Sequence, residues 1–460
     1  MKKFPLLLFT FLSLQSTAQE MWGISNSNYS GNMGIFLNPS TIVGAPYRYE
    51  INLIAGDFFA QNTYIFSPRR FHLIPNAITQ SVPDGNLYYF NTGGTVEQGY
   101  SHILLIGPSY IKNLGDHAWG LHSAFRTEAS ATDVPTPLAY TFYRNFHSPD
   151  LFNVRTAAKS YSAAEATFIE LGGTYGKVRY ESEKEYLKWA ATGNLLVGMN
   201  GLYGDFRETD FTVLDSSNTI FHNVDATIGN GIDNDALLSF RGLGLGTTLG
   251  ATYMKKHNSG GFECNRSNDN IKKYVYRIGL SLMDLGTIRY FRKSEVINIH
   301  STSDRLWNGI DSANFGVGSF DTLMVNRLAA TVEDKGFFIW LPTALSAQFD
   351  YSFTSKIYGN LSVVKRIHFA PNQIARPDQL TLSGRYETRN FEGNLNFSMY
   401  EWKQSAIGLG LRFKFFVVGT DRLLELLGLS DTYAADFFFG FKWQFCKRPF
   451  SPGIDCPAYQ

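Results

Sequence analysis

From Ile407 to Phe415 the chain alternates without a break. Ile407, Leu409, Leu411, Phe413 and Phe415 share one parity, and Gly408, Gly410, Arg412 and Lys414 share the other. A β-strand sends successive side chains to opposite faces, so one face here is purely apolar and the other is glycine and cation. Two folds accommodate such a strand. A soluble sandwich buries the apolar face in its core and shows the charged face to water. A transmembrane barrel turns the apolar face out to lipid and the polar face in to a lumen.

The same pattern recurs along the chain. Leu243, Leu245, Thr247, Leu249, Ala251 and Tyr253 alternate with Gly244, Gly246, Thr248, Gly250 and Thr252. Tyr276 to Leu282 alternates with Arg277, Gly279 and Ser281, and Leu345 to Phe353 with Ser346, Gln348, Asp350 and Ser352. Phe437 to Phe445 alternates with Gly440, Lys442 and Gln444. Ser101–Asn113 and Ala118–Thr127 read as a hairpin around Gly115-Asp116, with Trp119, Leu121 and Phe125 on one face and Gly120, His122, Ala124 and Arg126 on the other. Thr167–Tyr180 and Thr192–Phe206 flank a charged turn at Glu181–Glu185.

Roughly a dozen to sixteen candidates reach about ten residues, the length a tilted membrane strand needs. Soluble strands are commonly about five or six residues long, and no fixed repeat marks a propeller. The expected fold is all-β: a single closed antiparallel transmembrane β-barrel over residues 49–446. The glycine row Gly242-Leu243-Gly244-Leu245-Gly246 continues a strand period and opens no helix, so it reads as a lumen-facing face rather than a nucleotide loop.

The N-terminus agrees with export. Lys2 and Lys3 precede an apolar run from Phe4 to Leu14, and Ser16-Thr17-Ala18 is a small-x-small cleavage site. Residues 1–18 are therefore expected to be a signal peptide, with no cysteine at the cleavage site to mark a lipoprotein. No later stretch has the roughly 18 consecutive apolar residues of a spanning helix, and only helices and closed barrels satisfy their backbone in lipid. The expected location is the bacterial outer membrane. Charged residues are 18% of the chain, below the roughly 25% of soluble domains. Lys+Arg 41 against Asp+Glu 40 leaves no basic surplus, so a nucleic-acid partner is not expected.

Several pieces depart from the strand pattern. Trp22–Tyr47 is rich in Gly, Asn and Ser and reads as irregular. Pro135–Ala166 reads as partly helical. Phe320–Leu328, inside a 301–342 insertion, reads as a short helix, and so does Asp421–Gly428 with Gly428 at its C-cap. Residues 447–460 form a C-terminal tail.

No nucleophile elbow, His-Glu-x-x-His or phosphate loop is present, so neither an enzyme nor a metal or other cofactor is expected. The candidate functional residues are instead the charged groups of the inward parity: His122, Arg126, Arg277, Asp350, Arg412, Lys414 and Lys442. They would line a solute path, or pair with one another and solvate the interior. Cys446 and Cys456 lie close enough for a disulfide across a Pro- and Gly-containing loop, with free thiols the alternative.

Beyond these patterns, the chain resembles an uncharacterised family of Bacteroidota outer-membrane barrels related in architecture to the FadL-like long-chain fatty-acid transporters. The likeness is carried by Asn38-Pro39-Ser40, Gly107-Pro108-Ser109, the run Tyr276–Tyr290, Leu341-Pro342-Thr343-Ala344-Leu345-Ser346, Gly419-Thr420-Asp421-Arg422-Leu423-Leu424 and Ala435-Asp436-Phe437-Phe438-Phe439-Gly440. The resemblance implies about 14 strands. It also implies an N-terminal hatch in the lumen, here residues 19–48 with Gly31–Pro46 at its centre. It implies a barrel that binds or passes a hydrophobic or amphipathic small molecule. The alternative is a non-transporting subunit of a larger complex for protein secretion or barrel assembly. Expected partners are outer-membrane lipid or lipopolysaccharide and other envelope proteins. Asp311-Ser312-Ala313 and Asp321-Thr322-Leu323 fit a Bacteroidota O-glycosylation pattern, at Ser312 and Thr322. Counting strands back from a periplasmic C-terminus places the turns near Lys356 and Arg389 outside and the 301–342 insertion inside, against the usual arrangement of short periplasmic turns.

Overall fold

A computed structural model describes residues 21–69, 88–91, 93–232, 239–257, 274–310 and 320–446. The signal peptide, Cys264, Ser312 and Cys456 lie outside the described residues, as does the side chain of Cys446.

The alternating stretches form strands, and their outward parity is apolar. In the strand Gln404–Phe413, Arg412 is 1% exposed. The lipid-facing leucines run the other way: Leu245 is 70% exposed and Leu280 58%. A water-soluble fold would reverse these values, because exposed leucine forfeits burial and an unpaired buried guanidinium is costly.

The chain order is β1 (Tyr47–Asn62), a short ribbon of β2 (Ile65–Phe66) and β3 (Tyr89–Phe90), β4 (Val96–Ile106), β5 (Ser109–Asn113), β6 (His117–Pro135), β7 (Arg155–Glu181), β8 (Glu185–Val213), β9 (Asn218–Asn230), β10 (Gly242–Lys256) and β11 (Tyr274–Tyr290). Then follow β12 (Glu295–Ser301), β13 (Arg305–Asn308), β14 (Thr331–Glu333), β15 (Phe337–Trp340), β16 (Ala344–Ser352), β17 (Ile357–Arg366), β18 (Gln379–Glu387), β19 (Phe391–Tyr400), β20 (Gln404–Phe413), β21 (Phe416–Thr420) and β22 (Ala434–Cys446).

Fourteen of these positions close an antiparallel barrel, with β4 and β5 sharing one place and β22 returning to pair with β1. β16 to β20 have nine or ten residues each. At ~3.3 Å per residue and a tilt of ~40°, they span the ~25 Å apolar band of such barrels. Aromatic pairs ring the outer face near one end, including Tyr175 with Trp189 and Tyr253 with Tyr276.

That same end carries the turns at 114–116, 182–184, 353–356, 388–390 and 414–415, together with the paired residues Tyr47 and Cys446. The insertion at 301–342 lies at the opposite end. The sequence-based orientation is thus corrected, and the reason is β21. This strand has only five residues, carries no clear alternation, and shifts the backward count by one. These five short turns and the C-terminal strand end lie together, as in known membrane barrels, with the 401–403 turn a short exception at the other end.

β7 and β8 have 27 and 29 residues, far more than a membrane requires. Beyond the barrel rim their distal halves pair with each other and β8 pairs with β9, which pairs with β12 and β13, while β12 also pairs with β14. This extramembrane sheet has its own core of Tyr161, Phe211, Phe221, Ile297 and Trp307, covered by the helix Thr136–Tyr143 through Leu138 and by the helix Phe320–Leu328 through Met324 and Leu328. The partly helical reading of 135–166 is met by the helix Thr136–Tyr143 and a 3-10 turn at Pro149–Leu151, and Arg155 onward is strand. The expected helix at 421–428 shrinks to Leu423–Leu426, with Gly428 at φ 68° just past it.

Candidate functional site: the plugged lumen

Residues 21–46 occupy the interior of the barrel, and almost every one is buried. The segment contains one four-residue helix, Asn32–Ile35, and a 3-10 turn, Pro39–Ile42, capped by the Asn38 side chain accepting from Ser40 N–H at 3.1 Å. Gly31 has φ 61°, and a Cβ there would stand 1.7 Å from a Glu50 carboxylate oxygen, so only glycine fits this crossing of plug and wall.

Its small polar residues have no core to enter, and the inward groups of the wall supply their hydrogen bonds. Ser27 donates to Glu392 at 2.7 Å, and Asn28 donates to Glu387 from its side chain at 2.8 Å and its backbone at 3.1 Å. Asn32 donates to Glu50 at 2.7 Å through its backbone. Lys442 donates to the Tyr29 carbonyl at 2.6 Å, Lys188 to that of Val43 at 2.6 Å, and Ser281 to that of Leu37 at 2.6 Å. Asn38 donates to Gln348 at 3.0 Å, and Trp22 N–H to Asp421 at 3.2 Å.

Two ion clusters brace the wall. Near the short-turn end, Asp350 accepts Arg277 at 2.8 Å and Arg385 at 2.8 Å, and Arg385 also binds Glu387 at 3.0 Å. Arg277 continues to the Asn26 carbonyl and to Asn28. Arg412 binds Glu392 at 3.0 Å and lies 4.7 Å over the Tyr29 ring. Higher in the lumen, Arg126 reaches Glu128, Glu170 at 3.0 Å and Asp284 at 2.9 Å. His102 meets Glu128 at 2.8 Å and His122 meets Glu170 at 3.0 Å. Arg376, from the buried part of the 367–378 connection, closes on Asp284 at 2.7 Å.

Asp284 gets there by a β-bulge. Between the pairs Thr247–Leu285 and Leu249–Leu282, β11 spends two residues against one of β10, and Asp284 takes φ 50°. The bulge re-aims the carboxylate into the lumen and flips the parity of everything after it. Above this cluster the interior turns apolar, with Phe168, Leu196, Ile288, Tyr290, Phe337, Ile339, Leu341 and Ile374 in one layer.

Of the residues singled out in sequence, His122, Arg126, Arg277, Asp350, Arg412 and Lys442 point inward, and each is engaged by plug or wall. Lys414 does not belong with them. It sits at φ 49° in the tight β20–β21 turn and is exposed, because the strand stops at Phe413 before the alternation in sequence does. The glycine row of β10 does face inward, as Leu243 and Leu245 lie outward. Thr322 lies exposed on the helix Phe320–Leu328.

The acidic partners Glu50, Glu128, Glu170, Glu387 and Glu392 escaped the sequence reading. Glu128 shares the parity of His122 and Arg126, and Glu387 alternates with Leu380 and Leu382, so the signal existed. Asp284 had none, since parity before the bulge assigns it to lipid. Among the described residues, no group of three or more His, Cys, Asp or Glu is arranged to hold a metal ion.

Fold and site together define a membrane-spanning β-barrel whose lumen is filled by its own N-terminal segment. The chain belongs to a family of unknown function (DUF5723), whose profile matches residues 52–421. No curated protein matches it. Solved structures similar to it include the toluene transporter TbuX of Ralstonia pickettii, with 10% identity, 90% of this chain and 94% of that one covered, and a TM-score of 0.39. The toluene transporter TodX of Pseudomonas putida gives 11%, 93%, 98% and 0.39. A FadL homologue of Pseudomonas aeruginosa gives 8%, 94%, 99% and 0.23. Scores this low carry no functional weight, which leaves function to the chain's own geometry.

Proposed function

We propose that the protein is a gated barrel of the bacterial outer membrane that admits a small hydrophobic or amphipathic molecule, with residues 21–46 as the gate. One observation carries this reading: two unlike layers are stacked in one lumen. At the long-connection end the interior is an apolar, closely packed layer, chemically matched to a hydrophobic solute once its side chains part. Below it stands a plug held by hydrogen bonds from Asn, Ser and backbone groups to the wall and by apolar side chains, among them Met33, Ile35, Leu37 and Val43, packed against it. The plug joins the barrel only through Tyr47, so it can leave without unfolding a strand. Water replaces each released hydrogen bond at a net cost of about 0.5–1.5 kcal/mol, and the apolar side chains of the plug add about 25 cal/mol for each Å² they expose on leaving.

The test is entry of a neutral aromatic fluorophore into proteoliposomes. Ser27→Ala with Asn28→Ala loosens the plug and raises the entry rate, and deletion of residues 21–46 raises it further. A deletion variant that still shifts mobility on heating, as folded barrels do, yet passes no fluorophore sinks the proposal.

The extramembrane sheet favours a second reading, a non-transporting subunit of a secretion or barrel-assembly complex. A passage does not require a second apolar core outside the membrane. A stoichiometric partner that co-purifies in mild detergent, together with an unchanged entry rate in the plug variants, selects this reading instead.

A further inference from the structure

The lipid-facing wall of β10, β11 and β16 is not uniform. A shallow apolar depression of about 670 Å³ lies there, bordered by Leu249, Leu280 and Leu345. Register explains it: Ala251, Leu280 and Ala347 form one row across the three strands, so two methyl groups flank a single leucine. Toward the long-connection end, Leu285 and Leu245 continue the apolar strip, and the strip ends in two arginines. Arg289, in register with Leu243 and Phe338, lies 5.7 Å over the exposed Phe338 ring. Arg292 lies 5.2 Å over the Phe240 ring, also exposed.

Neither guanidinium has a carboxylate partner among the described residues. Other cations of the same rim do: Lys365 is held by Asp378 and Lys335 by Glu333. Two arginines carried on aromatic rings at a membrane boundary, without counter-ions, offer planar forks that match phosphate oxygens. The apolar strip beneath them fits a hydrocarbon chain. An anionic amphiphile satisfies both at once. Because long connections mark the outward-facing end of such barrels, the lipid is one of the outer leaflet.

We infer that Arg289 and Arg292 bind the phosphate groups of a phosphorylated glycolipid of the lipid A type, with one acyl chain in the depression between Leu249, Leu280 and Leu345. This site lies on the outer wall and is independent of whether the lumen opens.

Native mass spectrometry of the delipidated full-length protein, with lipid added back, tests the assignment. Wild type retains lipid A over both its dephosphorylated form and phosphatidylethanolamine. The Arg289→Gln/Arg292→Gln variant retains about tenfold less or lower still, as expected for loss of charge-assisted hydrogen bonds. Ala347→Phe, which fills the depression, lowers retention with both arginines in place. Equal retention of lipid A and its dephosphorylated form by wild type overturns the proposal without any variant. Preference for phosphatidylethanolamine overturns it too, as does unchanged retention in a heat-modifiable double variant.

Discussion

At the short-turn end the interior is closed by a segment that meets the wall through many hydrogen bonds interleaved with apolar contacts, while at the opposite end β7, β8, β9, β12 and β13 close on one another mainly through packed apolar side chains. Released polar groups regain hydrogen bonds from water, so the polar part of the first closure is worth little per contact. Exposing apolar surface costs about 25 cal/mol per Å² with nothing in return. The first arrangement suits a part that moves and the second a part that stays. The Arg126 cluster separates them and ties β6, β7 and β11 to the 367–378 connection.

The largest effect expected from a single change is at that separator. Arg126→Met leaves Glu128, Glu170 and Asp284 buried without their shared cation. Removing one partner of a buried ion cluster costs about 3–5 kcal/mol. The urea midpoint in detergent falls accordingly, and Arg126→Lys recovers part of it. A midpoint that does not move means the two closures are not mechanically divided there.

Next is the apolar end. Ile297 is fully buried in the extramembrane core, and Ile297→Ala costs about 2–5 kcal/mol. The damage is local: limited proteolysis cuts β9 and β12 faster, while the barrel keeps its heat-dependent mobility. Global loss of that mobility instead shows that sheet and barrel fold as one unit. Smaller again is the plug. Asn28→Ala removes two donors or acceptors, one toward Glu387 and one toward Arg277, and leaves those groups underpaired at a cost of about 1–3 kcal/mol. Hydrogen exchange in residues 21–46 rises while that of β17 and β18 stays slow. Equal acceleration in both argues against a separable plug.

Much of the barrel was legible in the sequence because its rule is local. Parity along β16 or β20 settles which side chains face lipid, and no distant contact is needed to read it. What escaped reading was non-local or rule-breaking. β21 is too short to show alternation, and without it the ends of the barrel are assigned the wrong way round. Lys414 continues the alternation in sequence, but the backbone turns at that residue. Asp284 reaches Arg126 only because a bulge inverts parity within β11. The plug's composition marked it as irregular. Its seat on Glu50, Glu387 and Glu392 depends on residues up to several hundred positions away, which no local pattern encodes.

The smallest expected effect is a pH response confined to the extramembrane sheet. Hydrogen bonds from Arg207 hold the Asp225 carboxyl below the ordinary carboxylate range, and those from Arg155 do the same for Asp210. A carboxyl with a lowered value in the folded state adds stability that is full above its unfolded value, near ~3.9, and is lost as pH falls through the folded value. Resistance of β8 and β9 to an acid-active protease is therefore flat from neutral pH to about 5 and declines below about 4. Arg155 and Arg207 are exposed and Asp225 is partly so, although Asp210 itself is largely buried, so screening keeps the decline shallow, and added salt flattens it further. Arg207→Gln removes the Asp225 share, leaving a smaller dependence through Asp210.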